Sequence, residues 1–347
     1  MIEVRTIAIT APGKVEVMSL STPPLCGREV LVKVHAVALC TLEQRIFSGE
    51  VRMPYPCTGG HELAGEIVGM GPLVDTQLWK TGDRAAVRLL YNCGECHQCR
   101  SGRTNMCEHS RHKPVRDGLL PGPGGLCDYI VVDSSQLFPI PESLPYEQAC
   151  LTEPLACVVH SINRADISLA DDVVVVGAGI MGQLHVRLSK MRGARVIVCE
   201  MDALRRKMAL DGGADFVVDP LAQDASQTVF DILGGRGADV VFNTVAVPGA
   251  LQQAFMMVGR AGKLIQYSSV HPDAPIQVSA QSLHEGQITL TGSISPTVED
   301  FYTANRLLSA KLIDLSPFIQ KTFPFNEAAS AFGLATRKGS FRVIITD

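Results

Sequence analysis

Residues 171–200, DDVVVVGAGIMGQLHVRLSKMRGARVIVCE, decide how the rest of the chain is read. Four valines (173–176) run into the turn GAGIMG, then a stretch of helical period, then a second apolar run that stops at Glu200. The turn fits G-x-G-x-x-G with Gly177, Gly179 and Gly182. Alone the pattern is weak, because a structural turn in another α/β domain carries glycines at the same spacing. Between a strand and a helix, with an acidic residue 23 positions after Gly177, it is the expected context for dinucleotide binding. Gly177 allows the turn and Gly179 lets backbone amides approach a pyrophosphate. Gly182 lets helix and strand pack closely, and the phosphates sit at the positive end of the helix. Ile180 and Met181 complete the candidate cradle. A carboxylate at Glu200 accepts hydrogen bonds from a ribose diol and repels a 2′-phosphate, so NAD is favoured over NADP. Arg205 and Arg206 nearby leave NADP open.

Working outward, the same alternation continues. Helices are expected near 203–210, 226–233 and 250–258, and strands at 216–219, 239–243, 263–269 and 287–293. Continuous rather than alternating apolar strands, separated by helices, predict an α/β unit: a doubly wound parallel sheet of about six strands. Upstream, residues 1–150 carry short β-like runs (30–39, 62–71, 84–90, 128–133) split by Gly and Pro, the texture of a β-rich body with long loops. A helix is expected over 151–165. The tail offers a helix at 301–311, a second at 326–335 and an edge strand at 341–346 that returns to the first body. The predicted organisation is a β-rich domain, 1–152 completed by 295–347, and a dinucleotide-binding domain, 153–294.

Composition sets the bounds. A length of 347 residues suits two domains at roughly 150 residues each. The chain is 46% hydrophobic and 19% charged, the balance of a soluble globular enzyme. A net charge of −4 makes no case for nucleic acid or an anionic membrane as partner. The start, MIEVRTIAIT, alternates like a strand and lacks the layout of a signal peptide. No apolar run approaches the roughly 20 residues of a membrane span. Eleven cysteines, an odd number, without an export signal argue for a reducing compartment, the cytoplasm.

Four of those cysteines stand together in CGECHQCRSGRTNMC, residues 93–107: Cys93, Cys96, Cys99 and Cys107. An iron–sulfur triplet would bring its fourth cysteine sooner and follow it with proline, whereas Glu108 follows here. A redox C-x-x-C would open a helix beside a βαβ unit. Four thiolates that can close a tetrahedron read as a structural zinc site with no open position. A second set is dispersed: Cys40 at the end of an apolar run, His61 and Glu62 after two glycines, and Glu153 in LTEPLAC. Singly these are a buried thiol, a capped histidine and two ordinary glutamates. Together they offer a thiolate, an imidazole and carboxylates, donor types that suit zinc, and spacing alone leaves the ordinary readings open.

The motifs resemble those of the zinc-dependent medium-chain dehydrogenase/reductase (alcohol dehydrogenase) family, in its polyol (sorbitol) and threonine dehydrogenase branch. The segments that carry the resemblance are Cys40, GHELAGEIVG (60–69), GDRAAV (82–87), the cysteine lobe, GGLCDYIVV (124–132), TEPLACVVH (152–160), GAGIMG and LHEGQITLTGS (283–293). They cover essentially the whole chain. The resemblance implies a GroES-like catalytic domain, a Rossmann domain and an active-site cleft between them. It implies two zinc ions per chain, one structural and one catalytic. Cys40, His61 and Glu153 would hold the catalytic ion, with Glu62 touching it or holding its water. The reaction implied is hydride transfer between a secondary alcohol, a polyol, sugar or similar hydroxylated metabolite, and NAD(P), through a zinc-bound alkoxide. Relatives are homo-dimers or homo-tetramers, often joined through an edge strand such as QITLTGS.

Departures from the family pattern carry information too. The Ser or Thr expected two residues after the zinc cysteine is Leu42, with Thr41 one position early. Thr41, Glu62 or a water would then pass the alcohol proton. Glu43 replaces the commoner Asp beside the site. The stretch SISPTVEDFY lacks the arginine of the sorbitol enzymes, which speaks against sorbitol itself, and NTVAVPG departs from the usual signature after its strand. Arg45, Arg52 and Arg88 stand as candidates to meet an acid or phosphate on the substrate. Two other readings use the same parts: an NADPH-linked aldehyde or ketone reductase, and a zinc-braced binding protein without turnover.

Overall fold

The four valines at 173–176 form the middle of a sheet. In the computed structural model, which describes residues 1–110, 115–270, 273 and 275–347, the strand Asp172–Val176 is buried along its whole length. It lies between Arg195–Cys199 and Ala238–Asn243, parallel to both. The sheet runs Phe216–Val218, Arg195–Cys199, Asp172–Val176, Ala238–Asn243, Val258–Gln266, Thr289–Gly292, every pair parallel. This is the doubly wound order, with the first strand at the centre and the chain reversing direction beside it. A strand covered on both faces needs apolar side chains at every position, which is why VVVV shows no alternation. Burying each valine stabilises the fold by about 1.5–3 kcal/mol. The helices Ala203–Asp211, Ala225–Ile232 and Ala280–Gly286 start where Asp202, Asp224 and Ser279 accept from the third backbone N–H.

The β-rich unit is built on the opposite rule. Strand Glu29–Leu39 alternates, with Val30, Val32, Val34 and Ala36 buried and Glu29, Leu31, Lys33 and His35 half-buried. Only its last residues, Val37–Leu39, are buried on both faces, and they deliver the chain to Cys40. The seven-stranded sheet runs Ile319–Pro324, Arg342–Thr346, Glu29–Leu39, Glu62–Met70, Arg84–Arg88, Leu137–Pro139, with Tyr129–Asp133 also paired to Glu29–Leu39. A separate antiparallel pair joins Ile2–Ala11 to Lys14–Thr22.

The tail strand returns to the first body but is no edge. Arg342–Thr346 lies between Ile319–Pro324 and Glu29–Leu39. The missing cover is IQKTFP, whose Gln, Lys and Pro hide a strand from any apolar count. The expected helices are present, including Thr152–Ala165 and Val298–Ser309. The two compact units are Met1–Ala156 with Pro296–Asp347, and Cys157–Ser295. Among the described residues no helix is long and apolar enough to cross a membrane.

Candidate active site

Cys40 caps the short helix Thr41–Ser48, and the cap is also the centre of the dispersed ligand set. Its Sγ accepts from the Leu42 N–H at 3.1 Å, and its own N–H donates to Glu43 Oε2 at 3.1 Å. The second Glu43 oxygen accepts from the Gly60 N–H at 2.9 Å and lies 3.1 Å from His61 Nδ1. An ionised carboxylate only accepts, so Nδ1 keeps its proton and donates to Glu43, which leaves Nε2 to face the sulfur. That Nε2 is 3.4 Å from Cys40 Sγ. Glu43 is wholly buried. Burial pushes its carboxyl up, but the facing His61 charge and the hydrogen bonds outweigh it and hold the pKa at about 2. Without a cation, burial pushes the Cys40 thiol up to about 12, so a positive ion is what would keep it a thiolate.

The glycines before His61 are there for space. Gly60 has φ +83°, and a Cβ on it would stand 2.4 Å from the Leu126 nitrogen. A Cβ on Gly59 would stand 2.5 Å from Glu43 Cγ. Only this pair lets the backbone run against the buried carboxylate.

Glu62 and Glu153 are treated differently by the fold. The ligand atoms of Cys40, His61 and Glu62 all lie within 4.8 Å of one another. Both Glu62 oxygens are also gripped by Arg342, at 2.6 Å (Nη2) and 2.8 Å (Nε), in a buried two-point ion pair. Burial pushes the Glu62 carboxyl up and Arg342 opposes it; the fork geometry is that of the charged pair. Glu153 is buried on Thr152–Ala165 but stands outside the three-residue group. Thr41 and Leu42 are exposed. The candidate substrate arginines separate: Arg52 is exposed, Arg45 pairs with Glu50 at 3.2 Å, and Arg88 is buried. Arg342 was missed by sequence reasoning, since nothing in FRVIIT marks an arginine as the partner of a residue 280 positions earlier.

The four-cysteine stretch closes on itself. The sulfurs of Cys93, Cys96, Cys99 and Cys107 lie within 4.8 Å of one another, and all eleven cysteines are free thiols. Backbone N–H groups point at the sulfurs: Cys96 and Glu95 onto Cys93 (3.3 and 3.4 Å), Cys99 onto Cys96 (3.5 Å), Cys93 and His109 onto Cys107 (3.3 and 3.4 Å). Such bonds favour thiolates, and the Cys99 and Glu108 amides lower the Cys96 pKa to about 6. The donor set suits a closed tetrahedral zinc.

The glycine turn has the dimensions its pattern predicts. Gly177 has φ +91°, and a Cβ there would strike Val245 Cγ1 at 2.4 Å. A Cβ on Gly182 would stand 2.0 Å from the Gly177 oxygen. Gly179 faces open space, with only Arg205 Nη1 at 4.0 Å. It caps helix Ile180–Met191, starting with Ile180 and Met181, and offers no side-chain cap to the first N–H groups. An anion fits there. Glu200 is buried and accepts from the Ala178 N–H (2.7 Å) and the Asp202 N–H (2.9 Å). Arg206 spends its guanidinium on the Glu200 and Met201 carbonyls and on Asp219. Gln183, unremarked in the sequence, ties the Ala178 carbonyl (3.3 Å) to that of Arg205 (3.0 Å).

With the geometry in hand, the chain was compared with known proteins. Residues 27–142 match the alcohol dehydrogenase GroES-like domain, and residues 181–310 the zinc-binding dehydrogenase domain. The chain belongs to the zinc-dependent alcohol dehydrogenase family. It is 31% identical to L-threonine 3-dehydrogenase of Pyrococcus horikoshii over 94% of this chain and 93% of that one. It is 29% identical to D-arabitol-phosphate dehydrogenase of Enterococcus avium, covering 96% and 95%. A solved zinc-binding dehydrogenase from Sinorhizobium meliloti 1021, bound to NADP, superposes with a TM-score of 0.89 at 25% identity over the whole of both chains. This dehydrogenase therefore transfers hydride between an alcohol and NAD(P). The reading as a binding protein without turnover falls with that.

Proposed function

We propose an NAD-linked dehydrogenase of a secondary alcohol, a polyol, sugar or related hydroxylated metabolite, that carries two zinc ions. The observation that carries the reading is the Cys40–His61–Glu43 cluster. A carboxylate held by two backbone amides fixes the imidazole tautomer and aims Nε2 beside a buried sulfur. Zinc, when bound, supplies Lewis-acid polarisation of the alcohol oxygen. Cys40, His61 and Glu153 would hold it, with Glu62 alongside. Arg342 keeps the Glu62 charge compensated in a buried setting, and Glu43 keeps His61 from turning. Cys93, Cys96, Cys99 and Cys107 would hold the second ion and brace the loop.

In the Rossmann unit, Gly179 and the first N–H groups of Ile180–Met191 would receive the pyrophosphate, and Glu200 the adenosine ribose diol. Supporting NAD, Glu200 is an acid at the strand end, and Arg206 is committed to Asp219 and two carbonyls. The exposed strand Thr289–Gly292 at the sheet edge supports assembly into a homo-dimer or homo-tetramer, which sedimentation would measure. A cytoplasmic setting agrees with eleven unpaired thiols.

A panel of polyols, sugar phosphates and amino-alcohols with NAD+ and NADP+, read at the reduced-nicotinamide absorbance, tests the reading. Turnover of a secondary alcohol with NAD+ is expected, with two zincs per chain by metal analysis. Clear tighter binding of NADPH than NADH would overturn the role given to Glu200.

A further inference from the structure

Gln183 follows the last glycine of the turn on helix Ile180–Met191 and is wholly buried. Its Nε2 carries two hydrogens and meets two carbonyls, Ala178 at 3.3 Å and Arg205 at 3.0 Å. Two acceptors at one end fix which way the amide points. The other end, Oε1, is buried with no hydrogen-bond partner among the described residues. A residue chosen for packing alone would be apolar here, since an unpaired amide oxygen in the interior is a cost. What the glutamine adds is the pair of bonds.

Those bonds close a ring. The Ala178 N–H donates to Glu200 Oε2 at 2.7 Å, and the Asp202 N–H donates to Glu200 Oε1 at 2.9 Å. Asp202 caps helix Ala203–Asp211 by accepting from the Arg205 N–H at 2.9 Å. From Arg205 the path returns through Gln183 to Ala178. Thr244 fastens the strand side of the turn, donating to the Val176 carbonyl at 2.8 Å, with the Gly177 carbonyl at 3.3 Å. Thr244 thus holds the turn to the sheet, and Gln183 holds it to the next helix.

Each Glu200 oxygen takes one backbone N–H and keeps a lone pair, so the carboxylate is pinned in orientation without being used up. Arg205 also reaches the turn, its Nη1 4.0 Å from where a Gly179 Cβ would lie. On the proposed reading, one dinucleotide touches the turn and the acid together. Its affinity then depends on a fixed spacing between them.

We infer that Gln183 is a positioning residue for the cofactor: by tying Ala178 to Arg205, it sets the distance from the pyrophosphate cradle at Gly179 to the ribose acid Glu200. The inference rests on the NAD site proposed above. It assigns Gln183 no contact with cofactor or substrate.

The test is ligand binding by the whole protein, read by titration calorimetry with NADH, ADP-ribose and reduced nicotinamide mononucleotide. ADP-ribose spans the cradle and the acid, whereas the mononucleotide lacks the adenosine half. Gln183→Met keeps the length of the side chain and removes both donors. It is expected to raise the Kd of NADH and of ADP-ribose about tenfold, the scale of one or two neutral hydrogen bonds. The Kd of the mononucleotide should stay at the wild-type value. In a Glu200→Ala background the ring is already open, so Gln183→Met should add little. An unchanged NADH Kd, equal loss for all three ligands, or an undiminished effect in the Glu200→Ala background would overturn the inference. Should circular dichroism show that Gln183→Met does not fold, Gln183→Leu decides by the same comparison. If Glu200→Ala alone binds NADH and ADP-ribose as tightly as wild type, the parent reading of Glu200 has failed and takes the inference with it, an outcome distinct from the others.

Discussion

In the Rossmann unit the chemistry is local and made of backbone. Gly177, Gly179, Gly182 and Glu200 fall within one strand–turn–helix–strand passage, and what they would offer a cofactor, on the proposed reading, is amide N–H groups, empty space and one acid. In the β-rich unit the chemistry is dispersed and made of side chains. Cys40 with Glu43, His61 with Glu62, and Arg88, Glu153 and Arg342 come from segments far apart in the chain and are buried or half-buried. Their charges are tolerable only as a set. The first design survives most changes outside the turn. The second should fail wherever one member is removed.

That contrast can be broken or sharpened experimentally. The largest effect is expected at the dispersed set: Cys40→Ser should lower kcat on the order of 10³-fold or more, several kcal/mol of lost transition-state stabilisation. Its counterpart Cys96→Ser should instead lose the other zinc and lower Tm, with kcat per folded molecule kept. Were Cys96→Ser to stay folded with its metal and lose only kcat, the division between a working and a bracing site would be wrong.

Next comes a pH effect inside the Rossmann unit. His185 is wholly buried between Phe242 and Tyr267, bonded to the Met181 carbonyl and Ser161, and burial lowers its pKa to about 4. An unfolded histidine takes up its proton near pH 6.5, whereas the folded one resists until about pH 4. Stability is therefore lost as pH falls through that window, by up to about 3 kcal/mol. Urea midpoints from pH 7 to 4 should fall less steeply in His185→Gln than in wild type. Parallel curves would show that the helix interior takes up the charge without penalty.

Glu43→Gln should cost 10–100-fold in zinc affinity or activity, the usual range for a group that orients a metal-binding histidine. An unchanged zinc affinity and kcat would mean that the Gly60 and Cys40 amides alone hold the loop. The smallest effect separates two glycines. Gly179→Ala puts a methyl into open space, so it should raise the NADH Kd about tenfold, close to 1.4 kcal/mol, and leave Tm alone. Gly182→Ala, with its 2.0 Å clash, should lower Tm as well. Titration calorimetry and thermal melts read both.

How much was legible follows the same divide. VVVVGAGIMG could be read because every contact that gives its residues meaning is a neighbour in the chain. The cysteine lobe could be read because its four sulfurs are held within one loop. Cys40, His61 and Glu153 became candidates only through resemblance to a family, since nothing local marks a thiol at the end of a strand as different from a buried one. Arg88, a candidate to meet an acid or phosphate on the substrate, is buried opposite Glu62 in the sheet, and Arg342 was passed over in a strand thought to be an edge. For Arg342 the deciding partner, Glu62, is on another strand.

The sequence by itself determined the layer type of each unit, the glycine turn with its acid, and the cysteine lobe. These depend on periodicity and spacing, which act over a few residues. Only the tertiary structure decided that Glu62 is shared between a ligand cluster and Arg342, that Glu43 aims His61, and that Arg88 is buried. Those are balances of charge against desolvation, and such balances exist only once distant segments have been packed together.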